Sequence, residues 1–66
     1  MNVVINGDTA EVDARETLEK LVSGIAEDRR GVAAAVNGEV IPRSQWSGRK
    51  LSEGDRIEVL SAIGGG

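Results

Sequence analysis

The chain contains no cysteine and no histidine. Without thiols it can form no disulfide, hold no thiolate-bound metal and offer no cysteine nucleophile. Without imidazole it lacks the commonest general base and the usual zinc ligand, and with them every Ser-His or Cys-His pair. A self-contained hydrolase is thereby disfavoured. Aromatics are nearly absent too, Trp46 being the only one. The net charge is −3, and the basic pairs Arg29-Arg30 and Arg49-Lys50 are short. That leaves neither the basic footprint nor the stacking aromatics of a nucleic-acid binder. No apolar run approaches the roughly 20 residues of a membrane span, and the N-terminus lacks the charged-then-apolar pattern of a signal peptide. The expectation is a cytoplasmic protein that binds neither nucleic acid nor membrane.

What remains is enough for one domain, since 66 residues lie near the lower limit for folding on a single unstapled core. Val3-Val4-Ile5 is a β-branched run closed by Asn6-Gly7-Asp8, a hairpin-type turn, and Thr9 to Asp13 alternates as a return strand. The period then changes. Leu18, Leu21, Val22 and Ile25 fall at i, i+3, i+4 and i+7, the apolar stripe of an amphipathic helix. Thr17 suits its N-cap, Asp13 with Glu16 offers a competing earlier start, and Gly31 suits its end. Val32 to Val36 reads as a small buried strand, Asn37-Gly38 as a second hairpin turn, and Glu39-Val40-Ile41 as a return strand ended by Pro42. Arg43 to Lys50 reads as an irregular polar stretch around Trp46, Leu51 to Asp55 as a turn, and Arg56 to Ile63 as a long last strand.

The order β-β-α-β-β-β, with a helix that has one apolar face, predicts an α+β ubiquitin-like β-grasp: a mixed sheet with one main helix packed across one face. First and last strands then pair in parallel at the sheet centre. Residues 1–62 form the domain and residues 63–66 a flexible tail of glycines. In the last strand, Ile57 and Val59 point to the helix while Arg56, Glu58, Leu60 and Ala62 point away. Leu60 and Ala62, with Ile63 beside them, are candidate partner-contacting residues next to the tail.

The tail itself, Gly64-Gly65-Gly66, has two readings. Glycine without a Cβ threads through a narrow channel and leaves a terminal carboxyl carbon open to attack; alternatively, it is an idle frayed end. From Ala62 to Gly66 an extended backbone reaches about 17 Å, enough to enter a partner's pocket.

Three stretches carry a resemblance. Asn37-Gly38-Glu39-Val40-Ile41-Pro42-Arg43-Ser44-Gln45-Trp46, then Glu53-Gly54-Asp55-Arg56-Ile57-Glu58-Val59, then the terminal glycines resemble the small sulfur carriers of thiamine biosynthesis, the ThiS family. The resemblance spans the chain in length and element order, and departs in having three glycines where two suffice. It implies a substrate protein rather than an enzyme. Gly66 would be adenylated by a ThiF-type adenylyltransferase using ATP and Mg, then converted by a donor persulfide to a thiocarboxylate. Thiazole synthase would take that sulfur. Gly64 and Gly65 would thread into the partner, and the chain itself would bind no cofactor and no metal. The small subunit of molybdopterin synthase, a conjugating modifier and a plain β-grasp interaction module are the alternative readings.

Overall fold

The structure is a computed structural model and describes residues 1–25 and 31–61. Strands β1 (Asn2–Ile5), β2 (Asp8–Glu11), β3 (Val32–Val36), β4 (Glu39–Ile41) and β5 (Arg56–Ser61) form one sheet in the order β2-β1-β5-β3-β4. Helix α1 (Leu18–Ile25) lies across one face. β1 and β5 pair in parallel at the centre, with Val4 opposite Arg56 and Ile5 opposite Ile57. This is the expected β-grasp.

Both hairpins turn on an Asn-Gly pair. Asn6 and Gly7 have φ +50° and +88°, Asn37 and Gly38 +53° and +85°. Two consecutive left-handed residues make the tight turn whose twist matches that of its strands, and Asn-Gly is the pair that adopts it most readily. β2 is shorter than the expected Thr9–Asp13. Its pairing runs on to Val12, which exchanges two bonds with Met1, and ends where Asp13 Oδ1 accepts the Arg15 N–H at 2.8 Å and turns the chain away. The same turn removes Asp13 as the helix cap. Thr17 holds that role, its Oγ1 accepting the Lys20 N–H at 3.3 Å.

The core gathers Val3, Leu18, Leu21, Val22, Val36, Ile57 and Trp46 between helix and sheet. Ile25, expected on the buried stripe, is 49% exposed. The reason is where the cover lies. Leu18 N–H bonds Arg49 O and Leu51 N–H bonds Glu16 O, so the segment around Trp46 closes over the start of α1, not its far end.

That segment is not irregular. Arg43–Gly48 is a 3-10 helix, entered through Pro42 at φ −59°. Pro42 O accepts Gln45 N–H and Trp46 O accepts Arg49 N–H, while Trp46 Nε1 donates to Ile41 O at 2.8 Å. In a 3-10 helix residues i and i+3 eclipse, which stacks the Arg43 guanidinium 5.5 Å above the Trp46 ring. Leu51, expected in a turn, is buried in the core, and the turn proper runs from Ser52 to Asp55 with Gly54 at φ +82°. β5 is described to Ser61; its expected continuation to Ile63 lies outside the described residues. Among the described residues no helix is long and apolar enough to cross a membrane.

Candidate docking face

The alternation in β5 falls as expected: Ile57 and Val59 are buried, and Arg56, Glu58 and Leu60 face away from the helix. Its register with β3 places Leu60 opposite Ala33 and Glu58 opposite Ala35, and β3 with β4 places Ala35 opposite Val40. Two outward rows result, Leu60–Ala33 and Glu58–Ala35–Val40. Leu60 is 65% exposed and Val40 70%.

Side-chain size shapes this face. β3 contributes only methyl groups outward, between the longer Leu60 of β5 and Val40 of β4. A trough of about 240 Å³ therefore runs along β3, lined by Ala33, Ala35, Gly38, Val40, Glu58 and Leu60. Its walls are apolar, and among the described residues Glu58 is the one charged residue lining it. Among the described residues the face carries no reactive constellation. What it offers is a seat for an apolar side chain, next to the strand that leads into residues 62–66. Two large aliphatic side chains exposed on one face suit contact with another protein.

Of the residues expected at the site, the structure describes Leu60 alone and puts it on the rim of this trough. Ala62, Ile63, Gly64, Gly65 and Gly66 lie outside the described residues. Val40, Ala33 and Ala35 join the face unforeseen. Their signal is the two-residue period: Val32, Ala34 and Val36 point in, so Ala33 and Ala35 point out, and Val40 lies out of phase with buried Ile41.

The root of the last strand has a fixture of its own. Beyond Ile5 the neighbouring strand β1 has turned away, yet Val59 stays bonded on that flank. Asn6 Oδ1 accepts the Val59 N–H at 2.9 Å and Asn6 Nδ2 donates to Val59 O at 3.3 Å. The Asn6 backbone N–H donates to Ile57 O at 2.9 Å. One residue in a turn thus binds β5 three times, across 53 positions of sequence at Val59.

A model of the ThiS family matches residues 3–66. The chain belongs to the ThiS family. Among relatives, the protein named sulfur carrier protein ThiS in Escherichia coli (strain K12) is 29% identical over 66 residues, covering all of both chains. A thiazole synthase of Paramagnetospirillum magneticum is 36% identical over 66 residues, all of this chain and 20% of that protein. A thiazole synthase of Magnetococcus marinus matches to the same identity and extent. The chain thus spans a fifth of the length of these two synthases and the full length of the E. coli protein. The crystal structure of a thiamine biosynthesis protein (ThiS) from Geobacter metallireducens superposes with a TM-score of 0.83 at 30% identity, over all of both chains. An NMR solution structure of a thiamine biosynthesis protein from the same organism gives 0.78 at 32% identity, over all of this chain and 88% of that one. This ThiS-family chain therefore has the same overall fold as the two Geobacter metallireducens proteins.

Proposed function

We propose that this chain is a sulfur carrier for thiazole formation in thiamine biosynthesis, with Gly66 as the residue that carries the sulfur. The family match across residues 3–66, running through the glycines, is the observation that carries the reading. The chain is a substrate for other proteins' catalysis and is not itself an enzyme.

A carboxylate resists substitution because its leaving group is oxide. In the proposed sequence a Gly66 carboxylate oxygen attacks the α-phosphorus of ATP, held with Mg by a ThiF-type adenylyltransferase, and pyrophosphate leaves. The resulting acyl-adenylate has a good leaving group. The terminal sulfur of a donor persulfide attacks the acyl carbon, AMP departs with the C–O electron pair, and the new C–S bond gives an acyl disulfide that keeps the persulfide's S–S bond. A thiol then attacks the donor-side sulfur. The S–S electron pair leaves with the acyl sulfur as the Gly66 thiocarboxylate, and the donor and thiol end as a disulfide. Thiazole synthase takes the sulfur. That partner is supported by the two thiazole synthases of which a fifth resembles this chain. Dependence on ATP and on reducing thiols places this chemistry in the cytoplasm.

The trough beside Leu60 docks the carrier on the adenylating partner, with Ala62 and Ile63 continuing the contact and Gly64 and Gly65 threading toward the nucleotide. Intact mass spectrometry tests the reading. After incubation with a ThiF-type enzyme, Mg-ATP, a persulfide donor and a thiol, the chain is expected to exchange one oxygen for sulfur, with the change confined to its last residue. An unchanged mass with an enzyme active on its own carrier overturns it.

A further inference from the structure

We infer that Asn6 is a positioning residue for the tail: through its bonds to Val59 it fixes the direction in which β5 delivers residues 62–66 to a partner. This rests on the carrier reading above. β5 is central, but its parallel neighbour β1 ends at Ile5, so past Ile57 one flank of β5 has no strand beside it among β1's residues. The Asn6 carboxamide takes the place of the missing strand. Oδ1 and Nδ2 engage both backbone polar groups of Val59, its N–H and its C=O, as a neighbouring strand would.

The backbone at Asn6 makes this possible. Its φ of +50° lies in the left-handed region, where Asn is tolerated and most other residues are strained. The turn thus holds a carboxamide against the flank of β5 without lengthening β1. On the other flank, Leu60 stays in register with Ala33. With both sides fixed, the docking face and the tail root form one rigid piece. Rigidity at the root matters because the seven residues from Leu60 to Gly66 can reach about 23 Å when extended. Small changes of angle at Val59 are magnified at the reacting carboxylate, and misplacement of reacting atoms by an ångström is expensive in rate.

The molecule supplies its own control. Asn37 occupies the corresponding position in the other hairpin, at φ +53°, and its Oδ1 accepts the Arg56 N–H at 3.0 Å. It therefore ties down the opposite end of β5, far from the tail. Glycine at either position keeps the turn and deletes the carboxamide.

Two measurements on the full-length chain decide the matter, at a temperature where every variant is folded. In Asn6→Gly the Val59 amide is expected to exchange with solvent at least about tenfold faster relative to the amides of β3. With a ThiF-type enzyme and ATP, read by pyrophosphate release, Asn6→Gly is expected to lower kcat by about tenfold to a hundredfold, while KM for the carrier moves less than about twofold because the docking face is intact. Asn37→Gly is expected to lower stability and leave kcat unchanged. A merely structural Asn6 would lower the melting temperature and spare kcat, which overturns the inference. So does an unaltered Val59 exchange ratio, or an equal loss of kcat in Asn37→Gly. If the wild-type chain releases no pyrophosphate, the carrier reading fails first, and an unaltered exchange ratio would still overturn the clamp on its own.

Discussion

Asn37 Nδ2 donates to Asp55 Oδ1 at 3.0 Å, joining the turn between β3 and β4 to the turn that opens β5. Asp55 is 7% exposed, and its second oxygen accepts the Ser52 N–H at 2.8 Å. A second bond runs the same way on the main chain, where Asn37 N–H donates to Arg56 O at 2.7 Å. A carboxylate this deep is tolerable because both of its oxygens are hydrogen-bonded. Asp55→Ala strands two donors in a poorly hydrated place and is expected to cost about 2–3 kcal/mol. Urea unfolding followed by Trp46 fluorescence measures it. In a double-mutant cycle with Asn37→Gly, the two losses are expected to fall short of additivity by about 0.5–2 kcal/mol. Additive losses would mean that the two side chains do not act as a pair.

Trp46 anchors the other side of the core. It is 1% exposed, fills space under the start of α1, and satisfies its indole N–H at Ile41 O. Trp46→Phe removes the donor and part of the volume, and is expected to destabilise by about 1–3 kcal/mol. Trp46→Ala, at about 3–5 kcal/mol, consumes most of what a domain of this size has, about 5 kcal/mol at the low end of the usual range. Circular dichroism at 25 °C is expected to show Trp46→Phe folded and Trp46→Ala largely unfolded. A fully folded Trp46→Ala chain would show that the core closes without the indole.

These two networks explain which parts of the fold were legible from residues alone. Asn-Gly pairs, the 3.6-residue stripe through Leu18, Leu21 and Val22, and the alternation around Ile57 and Val59 are local patterns, each with its own geometric consequence. The sheet order followed because a one-sided helix allows few arrangements. The 3-10 helix at Arg43–Gly48 is harder to see: five polar and small residues around one Trp carry no apolar period, and its stability comes from Trp46 reaching back to Ile41. Leu51 hides for a similar reason, since a lone apolar residue before a turn gains its burial from a core assembled by distant segments. The docking face was legible only in β5. A three-residue strand shows too little alternation to place Val40 outward, and Asn6 reads as a turn residue until its side chain is seen against Val59. The stretch from Asn37 to Trp46, most specific in the resemblance, is largely a staple of the fold.

Leu60 and Val40 stand on opposite sides of the methyl-floored trough, so a partner side chain seated there touches both. Leu60→Glu and Val40→Glu place a charge beside Glu58 on an apolar contact. Each is expected to weaken binding to the adenylating enzyme by about 1–3 kcal/mol. Because both positions are exposed, unfolding free energies are expected to shift by less than about 0.5 kcal/mol. Calorimetric titration checks the first quantity and chemical denaturation the second. Wild-type affinity in Val40→Glu would confine the contact to the β5 side, and wild-type affinity in both would remove the trough from the interface.

Residues 64–66 have a role that rests on the carrier reading. A threaded segment is limited by its widest side chain, and glycine has none. Gly65→Val adds a branched Cβ one residue from the reacting carboxyl group, while leaving the docking face untouched. A tag fused after Gly66 does something different: it removes the free carboxylate and replaces it with an amide. Both variants are expected to bind the adenylating enzyme through the trough, and neither to yield thiocarboxylate by intact mass. Circular dichroism is expected to match wild type. Binding without turnover would separate the two halves of the protein's work, docking by the sheet and chemistry at the end of the chain. Normal thiocarboxylate formation in Gly65→Val would instead mean that the partner's channel is wide enough for a side chain, and that the glycines serve something other than passage.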